Sequence, residues 1–527
     1  MTGTARTLAR AGMLVAAAYL ASRILGWIRL VVISSIFGAS ADLDAFFAAF
    51  RIPDLIFQLV AAGALSSALI PVLAHLDADD EEARVWRVVT TIINLMLVAL
   101  LGLAVVVAVA APQIIPVITP GFDAPQIELT VRLSRLMLLS PILLALGAVA
   151  TSVLNARGQF AASVAAPLLY NIVIIFAAVV LTPLLGVEGL AIGVVLGSLA
   201  QLAAQLPSFM RLRGFRYDFG VDLHDPAARE ALLLMVPRAI GLSATQITFL
   251  VNTTLASGLG SGAIVAYNVA FTIMQIPLGI IGVPLGVVLL PSMSRALAAG
   301  DGRLFGRLVV RSLRLLLYVM LFLTALVAVL RRQVVTVLFD YGNFDARAIE
   351  MTANTLLFFT LGLAAHAAIV ILARAFYAGR DTRTPVVAAI LSVVVNVIVS
   401  VTTVGSMGLS GLALGIAAGA WFEAILLLIL LWRRTPSLPL AGLARAGGTF
   451  AIGALLAGGV AFGALGLAGS LLGAADPTKP IILLELVVAG TAATAAYVAF
   501  GALTRIPELR ESADLIRSAL RRGRGEP

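Results

Sequence analysis

Four arginines stand where an apolar sequence has no ordinary use for them. Arg23 and Arg29 interrupt SRILGWIRLVVISSIFG (22–38), Arg51 lies in AAFRIPDLIF, and Arg238 sits in MVPRAIG. A guanidinium stays charged at any working pH and presents a planar fork of donors that matches two phosphate oxygens. Placing one at bilayer depth costs at least about 2.5–3.5 kcal/mol, so an intramembrane arginine is read as functional by default. The chemistry these four suit is capture of a phosphate or pyrophosphate headgroup. Two blander readings stay open: a long side chain reaching the interface, or neutralisation by Asp42, Asp44 or Asp54.

Spacing refines this. Arg23 and Arg29 are six positions apart, about 120° around a straight helix, and share a face only if Gly26 bends it. Arg51 and Asp54 are three apart on one face, with Pro53 between them to kink the helix. Asp44, in the turn GASADLDAFF, reads equally as an external gate or ion-pair partner and as a helix N-cap. Glu423, Glu485 and His366 are isolated polar groups in apolar runs. Each could relay a proton or simply be a satisfied buried residue.

The elements that carry these residues follow from composition. The chain has 527 residues, 61% hydrophobic and 12% charged, with a mean hydropathy of +1.06. That balance describes an all-α polytopic membrane protein. Hydropathy windows give about fourteen transmembrane helices, from 11–38 to 480–504. There is no cysteine, the three histidines are scattered, and the sole lysine, Lys479, lies in no GxxxxGK[ST] loop. Disulfide, metal and ATP-hydrolysing chemistry are not expected; the chain reads as a transporter without a cofactor, not an enzyme. A coupling cation, Na+ or H+, is left open.

The net charge of +9 sits in short loops, so it reads as topology and not as nucleic-acid binding. The N-terminus, the even-to-odd connections and the C-terminal tail hold 26 of the 36 Lys+Arg; the other face holds 6. Both termini are therefore expected in the cytoplasm.

An internal repeat is visible. GLAIGVVLGS (189–198) returns as GLALGIAAGA (411–420), and Arg157 with Asn171 finds an echo in Arg380 with Asn396. Each unit holds six spans, so both copies run the same way, with a site expected in a central cavity between them. The expected organisation is an N-lobe at 1–210, a C-lobe at 211–435, two extra helices at 436–504, and a basic amphipathic cytoplasmic tail at 505–527 lying on anionic lipid.

The stretch SRILGWIRLVVISSIFGASADLDAFFAAFRIPDLIFQLVAAGALSSALIPVLAHL closely resembles the first two helices of the MurJ/MviN lipid II flippases. VPRAIGLSATQITFLVNTTLAS, QIPLGIIGVPLGVVLLPSMSR, VLFDYGNFDARAIEMTANTLLFF and ARAFYAGRDTRTP agree in order, so the resemblance covers about residues 10–435. It implies alternating-access export of the undecaprenyl-pyrophosphate-linked peptidoglycan precursor, lipid II, across the bacterial inner membrane, with cell-wall synthesis proteins as potential partners. Arg23 and Arg29 carry over as family arginines, Asp44 as the family aspartate after the first helix, and Arg51 as a basic position. The resemblance also brings departures. Leu30 and Ala62 replace acids, and Phe57 and Thr272 replace arginines. In the sodium site of some members Asn396 matches, while Asn252 and Ser400 stand in for aspartates. Two alternatives therefore accompany this expectation: a drug or polysaccharide-lipid exporter of the wider superfamily, and a non-transporting cell-wall scaffold.

Overall fold

The computed structural model describes residues 3–60, 81–435, 438–472 and 478–511, and within these leaves aside the side chains of 3–17, 19, 60, 234–245, 441 and 471–472. Among the described residues the chain is helical, with no strand. In order come α1 (Gly3–Phe37), α2 (Ala41–Val60), α3 (Glu82–Ile118), α4 (Ala124–Met137), α5 (Leu139–Ala156), α6 (Phe160–Val180), the short α7 (Thr182–Leu185), α8 (Val187–Met210) and α9 (Pro226–Ser257). Then follow α10 (Ala263–Pro277), a π-turn at Leu278–Gly282, α11 (Val283–Ala298), α12 (Gly302–Phe339), α13 (Ala346–Thr360), α14 (Leu363–Ala378), α15 (Arg383–Met407), α16 (Leu409–Arg434), α17 (Leu440–Leu472) and α18 (Lys479–Leu503).

Eleven helical stretches among the described residues are long and apolar enough to cross a membrane, and twelve if the bent pair α13–α14 is one span. This multi-pass architecture matches the expected class, though fourteen spans are not all of this apolar kind. α2 has the length but carries Asp42, Asp44, Arg51 and Asp54 in 20 residues. The middle of α9 falls among the undescribed side chains. The expected second half of span 2 (61–80) and most of the amphipathic tail (512–527) lie outside the described residues.

Packing divides the chain into two compact units: residues 1–265 with 341–345, and 266–340 with 346–527. In the first, α9 packs with α2 and α3. The loop before it is stitched to α3: Asn94 Nδ2 donates to the carbonyls of Asp218 (2.8 Å) and Gly220 (2.9 Å), and Arg84 pairs with Asp225 at 2.8 Å. In the second unit α17 and α18 pack on α12 around Tyr318, Phe450 and Tyr497, whose hydroxyl donates to the Tyr318 carbonyl at 2.7 Å. The start of the tail docks there too, through Arg314–Glu508 and Arg311–Glu511.

The sequence repeat is a repeat of geometry with a fixed offset of 222. Gly186 (φ 59°) and Gly408 (φ 56°) open α8 and α16 from the left-handed region that glycine enters at no steric cost. A Cβ on Gly189 would lie 2.7 Å from the Leu181 carbonyl oxygen, and one on Gly411 2.9 Å from that of Thr403. On Gly197 it would meet the Tyr170 carbonyl at 2.9 Å, and on Gly419 the Ser392 carbonyl at 2.8 Å. Glycine every fourth residue thus lets α8 lie against α6, and α16 against α15, at backbone distance. This register corrects the expected echo: Asn396 corresponds to Ile174, one turn from Asn171, and Arg380 (φ 58°) takes the place of Gly158 (φ 71°).

The joint between α13 and α14 is a 46° bend held on all sides. Trp421 Nε1 donates to the Leu361 carbonyl at 2.8 Å and Thr324 to that of Thr360 at 3.0 Å, replacing the helical bonds the bend breaks.

Candidate functional site

Within the first unit, α1, α2, α6 and α9 bring a polar cluster together in the middle of apolar helices. α1 runs unbroken through Gly26, where a Cβ would come no nearer than 3.8 Å to Asn171 Oδ1. The two arginines of α1 stand in different surroundings. Arg29 is half-buried, its guanidinium 5.5 Å from the Tyr170 ring centre on α6. Arg23 is exposed.

On α2, Arg51 Nε donates to Thr253 Oγ1 at 3.1 Å, and the guanidinium lies 5.0 Å from the centre of the Phe249 ring. Both partners are on α9. Asp54, one turn along α2, has Arg51 and the side-chain amides of Gln58 and Gln246 beside it, with Tyr170 near. Counting Arg29, Arg51 and Asp54, the cluster keeps one net positive charge. The aromatic faces offset part of the desolvation of each guanidinium, by about 0.5–2 kcal/mol. Arg238 belongs to α9, but its side chain lies outside the described residues.

Asp44 forms no ion pair among the described residues. It is 1% exposed, and its two carboxylate oxygens accept from the main-chain amides of Gly262 (2.6 Å) and Val265 (2.8 Å). It caps the start of α10, a helix distant in sequence, and not its own. The neighbouring turns interlock around it. Asn343 donates to the carbonyls of Ser35 (2.8 Å) and Ile36 (2.6 Å), and Gln126 to that of Ala41 (2.9 Å). A Cβ on Gly262 (φ 83°) would sit 2.3 Å from the Ala39 carbonyl, so glycine is required.

The remaining candidates are dispersed. Asn252 on α9 is fully buried; Asn396 on α15 is 2% exposed with Nδ2 3.4 Å from Ser400 Oγ. They belong to different units. Glu423 accepts from Ser392 Oγ at 3.0 Å and Glu485 from Gln333 Nε2 at 3.3 Å, so both are satisfied buried or half-buried acids. His366 Nε2 is buried without a hydrogen-bond partner among the described residues. No group of three His, Cys, Asp or Glu that could hold a metal occurs among the described residues.

Sequence reasoning missed Tyr170, Thr253 and Gln246, neutral residues whose role appears only once α6 and α9 pack. Arg374 lies within α14, half-buried, with Nη1 donating to the Val370 carbonyl at 3.0 Å; Gly286 leaves it room, since a Cβ there would be 2.7 Å from its Nε.

Known proteins give this cluster a context. The family model described as lipid II flippase MurJ matches residues 33–471. A lipid II flippase MurJ of Burkholderia cenocepacia is 33% identical over 441 residues, 81% of this chain and 84% of that one. A probable lipid II flippase MurJ of Rhizobium tropici is 32% identical over 80% of each chain. Among solved structures, a lipid II flippase MurJ in an inward closed conformation superposes with a TM-score of 0.78 at 21% identity, covering 93% of this chain and 98% of that one. An inward-facing multidrug transporter of the MATE family gives 0.67 at 16% identity, over 79% and 95%. At these identities the two structures speak for the fold alone, while the family model spans most of the chain; the chain belongs to the lipid II flippase MurJ family.

Proposed function

We propose that this chain moves lipid II from the inner to the outer leaflet of the bacterial plasma membrane, by alternating access of its two repeat lobes and without ATP hydrolysis. The observation that carries the reading is the Arg29–Tyr170–Asp54–Arg51 cluster: permanent cations, set on aromatic faces at mid-helix, inside the fold of this family. A pyrophosphate replaces the water that a guanidinium otherwise requires, and bidentate bonds reward it. Arg23 and Arg238 extend the same role along α1 and α9. Asp44 serves as the external latch: releasing it from the first amides of α10 frees the interlocked turns. Charge asymmetry of the loops supports cytoplasmic termini.

The drive we favour is the membrane potential. Two negative charges leaving an interior at −100 mV gain about 4–5 kcal/mol; if arginines neutralise the headgroup, the same field acts on the empty carrier as it resets. Asn252 and Ser400 offer neutral oxygens where a hard cation prefers carboxylates, so coupling to Na+ has less support although Asn396 is kept. A drug exporter for cations would place acids in the cluster. The scaffold reading draws on Phe57, packed against the first unit's core, and Thr272, whose hydroxyl donates to Asn268 at 2.8 Å: neither supplies a cation.

The test is depletion in the native bacterium with the leaflet distribution of lipid II as readout. Wild type restores outward lipid II; Arg29→Ala and Arg51→Ala leave it inside. Full rescue by both alanine variants sinks the flippase reading and favours the scaffold.

A further inference from the structure

A second cationic feature lies far along the chain, on α12 and α17 of the second unit. α12 begins with Arg303, Arg307, Arg311 and Arg314, then runs from Leu315 to Leu330 without a charge, then presents Arg331 and Arg332. At 1.5 Å per residue the uncharged stretch is about 24 Å long, close to the roughly 30 Å of a bilayer's hydrocarbon. The two arginines therefore fall at the phosphate level of the leaflet opposite the arginine-rich start.

There they border a cavity of about 480 Å³ between α12 and α17, whose apolar wall includes Val329, Phe462 and Leu465. Arg331 spends one Nη1 hydrogen on its own helix, at the Ala328 carbonyl (2.7 Å), and keeps the rest of its fork. Arg332 is exposed. Among the described residues neither forms an ion pair. The nearest buried acid in the bonding pattern, Glu485, is taken by Gln333 at 3.3 Å. Below the mouth α17 presents a bare apolar strip, with Phe462 73% and Leu455 73% exposed.

We propose that this cavity holds one anionic glycerophospholipid, its phosphate between Arg331 and Arg332 and an acyl chain along Phe462 and Leu455. The two guanidiniums match a net negative headgroup, and the apolar wall is what separates a lipid from a free phosphate as the occupant. The site is distinct from the Arg29–Arg51 cluster and carries no transport role.

The experiment is native mass spectrometry of the full-length protein titrated with phosphatidylglycerol or with phosphatidylethanolamine of the same chains. The expected result is one tightly held phosphatidylglycerol, weakened about tenfold or more in R331Q/R332Q, as loss of bidentate charge-assisted bonds requires. Phosphatidylethanolamine binding stays unchanged, and inorganic phosphate at millimolar concentration fails to displace the lipid. R332E, a single change at an exposed position, gives the same loss if the double variant is poorly folded, with thermal unfolding as the folding control. Equal retention of both lipids by wild type, retention of phosphatidylglycerol by R332E, or displacement by phosphate overturns the proposal.

Discussion

The two copies of the internal repeat share their packing and differ in their chemistry. α6 against α8 and α15 against α16 use the same glycine spacing, the same left-handed glycine before the second helix, and the same carbonyls in the same register. Beside the first pair, however, α1 brings Arg29 onto Tyr170. At the position in the second pair that corresponds to Tyr170 stands Ser392, which donates to Glu423. Duplication preserved what backbone contact demands, because a Cβ at Gly189, Gly197, Gly411 or Gly419 collides with main chain. It left the charge free to diverge, because a side chain pointing away from the contact is not constrained by it. The packing is therefore repeated, while the arginine-on-tyrosine contact beside it belongs to the first copy and a serine–glutamate bond stands in the second.

That asymmetry can be broken in order of effect. The largest expected change is at the first-half cations. Arg29→Ala or Arg51→Ala removes hydrogen bonds to a charged ligand worth about 1.5–3 kcal/mol each, roughly 10–100-fold in cargo affinity. Glu423→Gln in the second half leaves it unchanged. Cargo binding to purified variants checks both.

Next come the shared glycines. A Cβ on Gly193 would lie 2.5 Å from that of Ala177, and one on Gly415 2.2 Å from Ser400 Oγ and 2.9 Å from the Asn396 carbonyl. Gly193→Ala and Gly415→Ala should each destabilise by about 1–3 kcal/mol through overpacking. Gly459→Ala on α17, where a Cβ would meet nothing within 4 Å, should be neutral or stabilising by up to about 1 kcal/mol. Thermal unfolding in detergent separates the two classes, and equal effects at all three sites would deny the twofold scaffold.

A smaller effect is set by pH at the turn before α15. Burial works against ionisation of Asp381, but the hydroxyl and amide of Thr384 and the Arg434 guanidinium outweigh it and bring the carboxyl down to about 2 from 3.8. A depressed carboxylate stabilises the fold above its unfolded value and loses that contribution as pH falls through its folded one. Stability should thus drop between about pH 4 and pH 2, and less so in Asp381→Asn. The smallest effect sits next door. Arg380 occupies the left-handed place that Gly158 fills in the first copy. Arg380→Gly should stabilise by about 0.5 kcal/mol, the cost of a non-glycine residue there being partly offset by glycine's entropy.

The helical class, the membrane and the glycine repeat are written in the sequence because each depends on local periodicity. The two mid-helix arginines are legible as well, since a charge in an apolar run needs no partner to be noticed. What the sequence hides is pairing across distance. Tyr170 is one neutral residue in LLYNIV until α1 lies beside it. Asp44 reads as a cap for its own helix, yet the amides it serves are those of Gly262 and Val265. The asparagine echo misleads for a different reason: matching residue types by eye slips by one helical turn, while backbone contact fixes the register.

The central claim is that the first-half guanidiniums recognise a phosphorylated lipid head. The most direct measurement is the affinity of the purified full-length chain for undecaprenyl pyrophosphate against undecaprenol, for wild type, R29Q/R51Q and Glu423→Gln. The account predicts strong preference for the pyrophosphate in wild type and in Glu423→Gln, and its loss in R29Q/R51Q. An undiminished preference in R29Q/R51Q would contradict it.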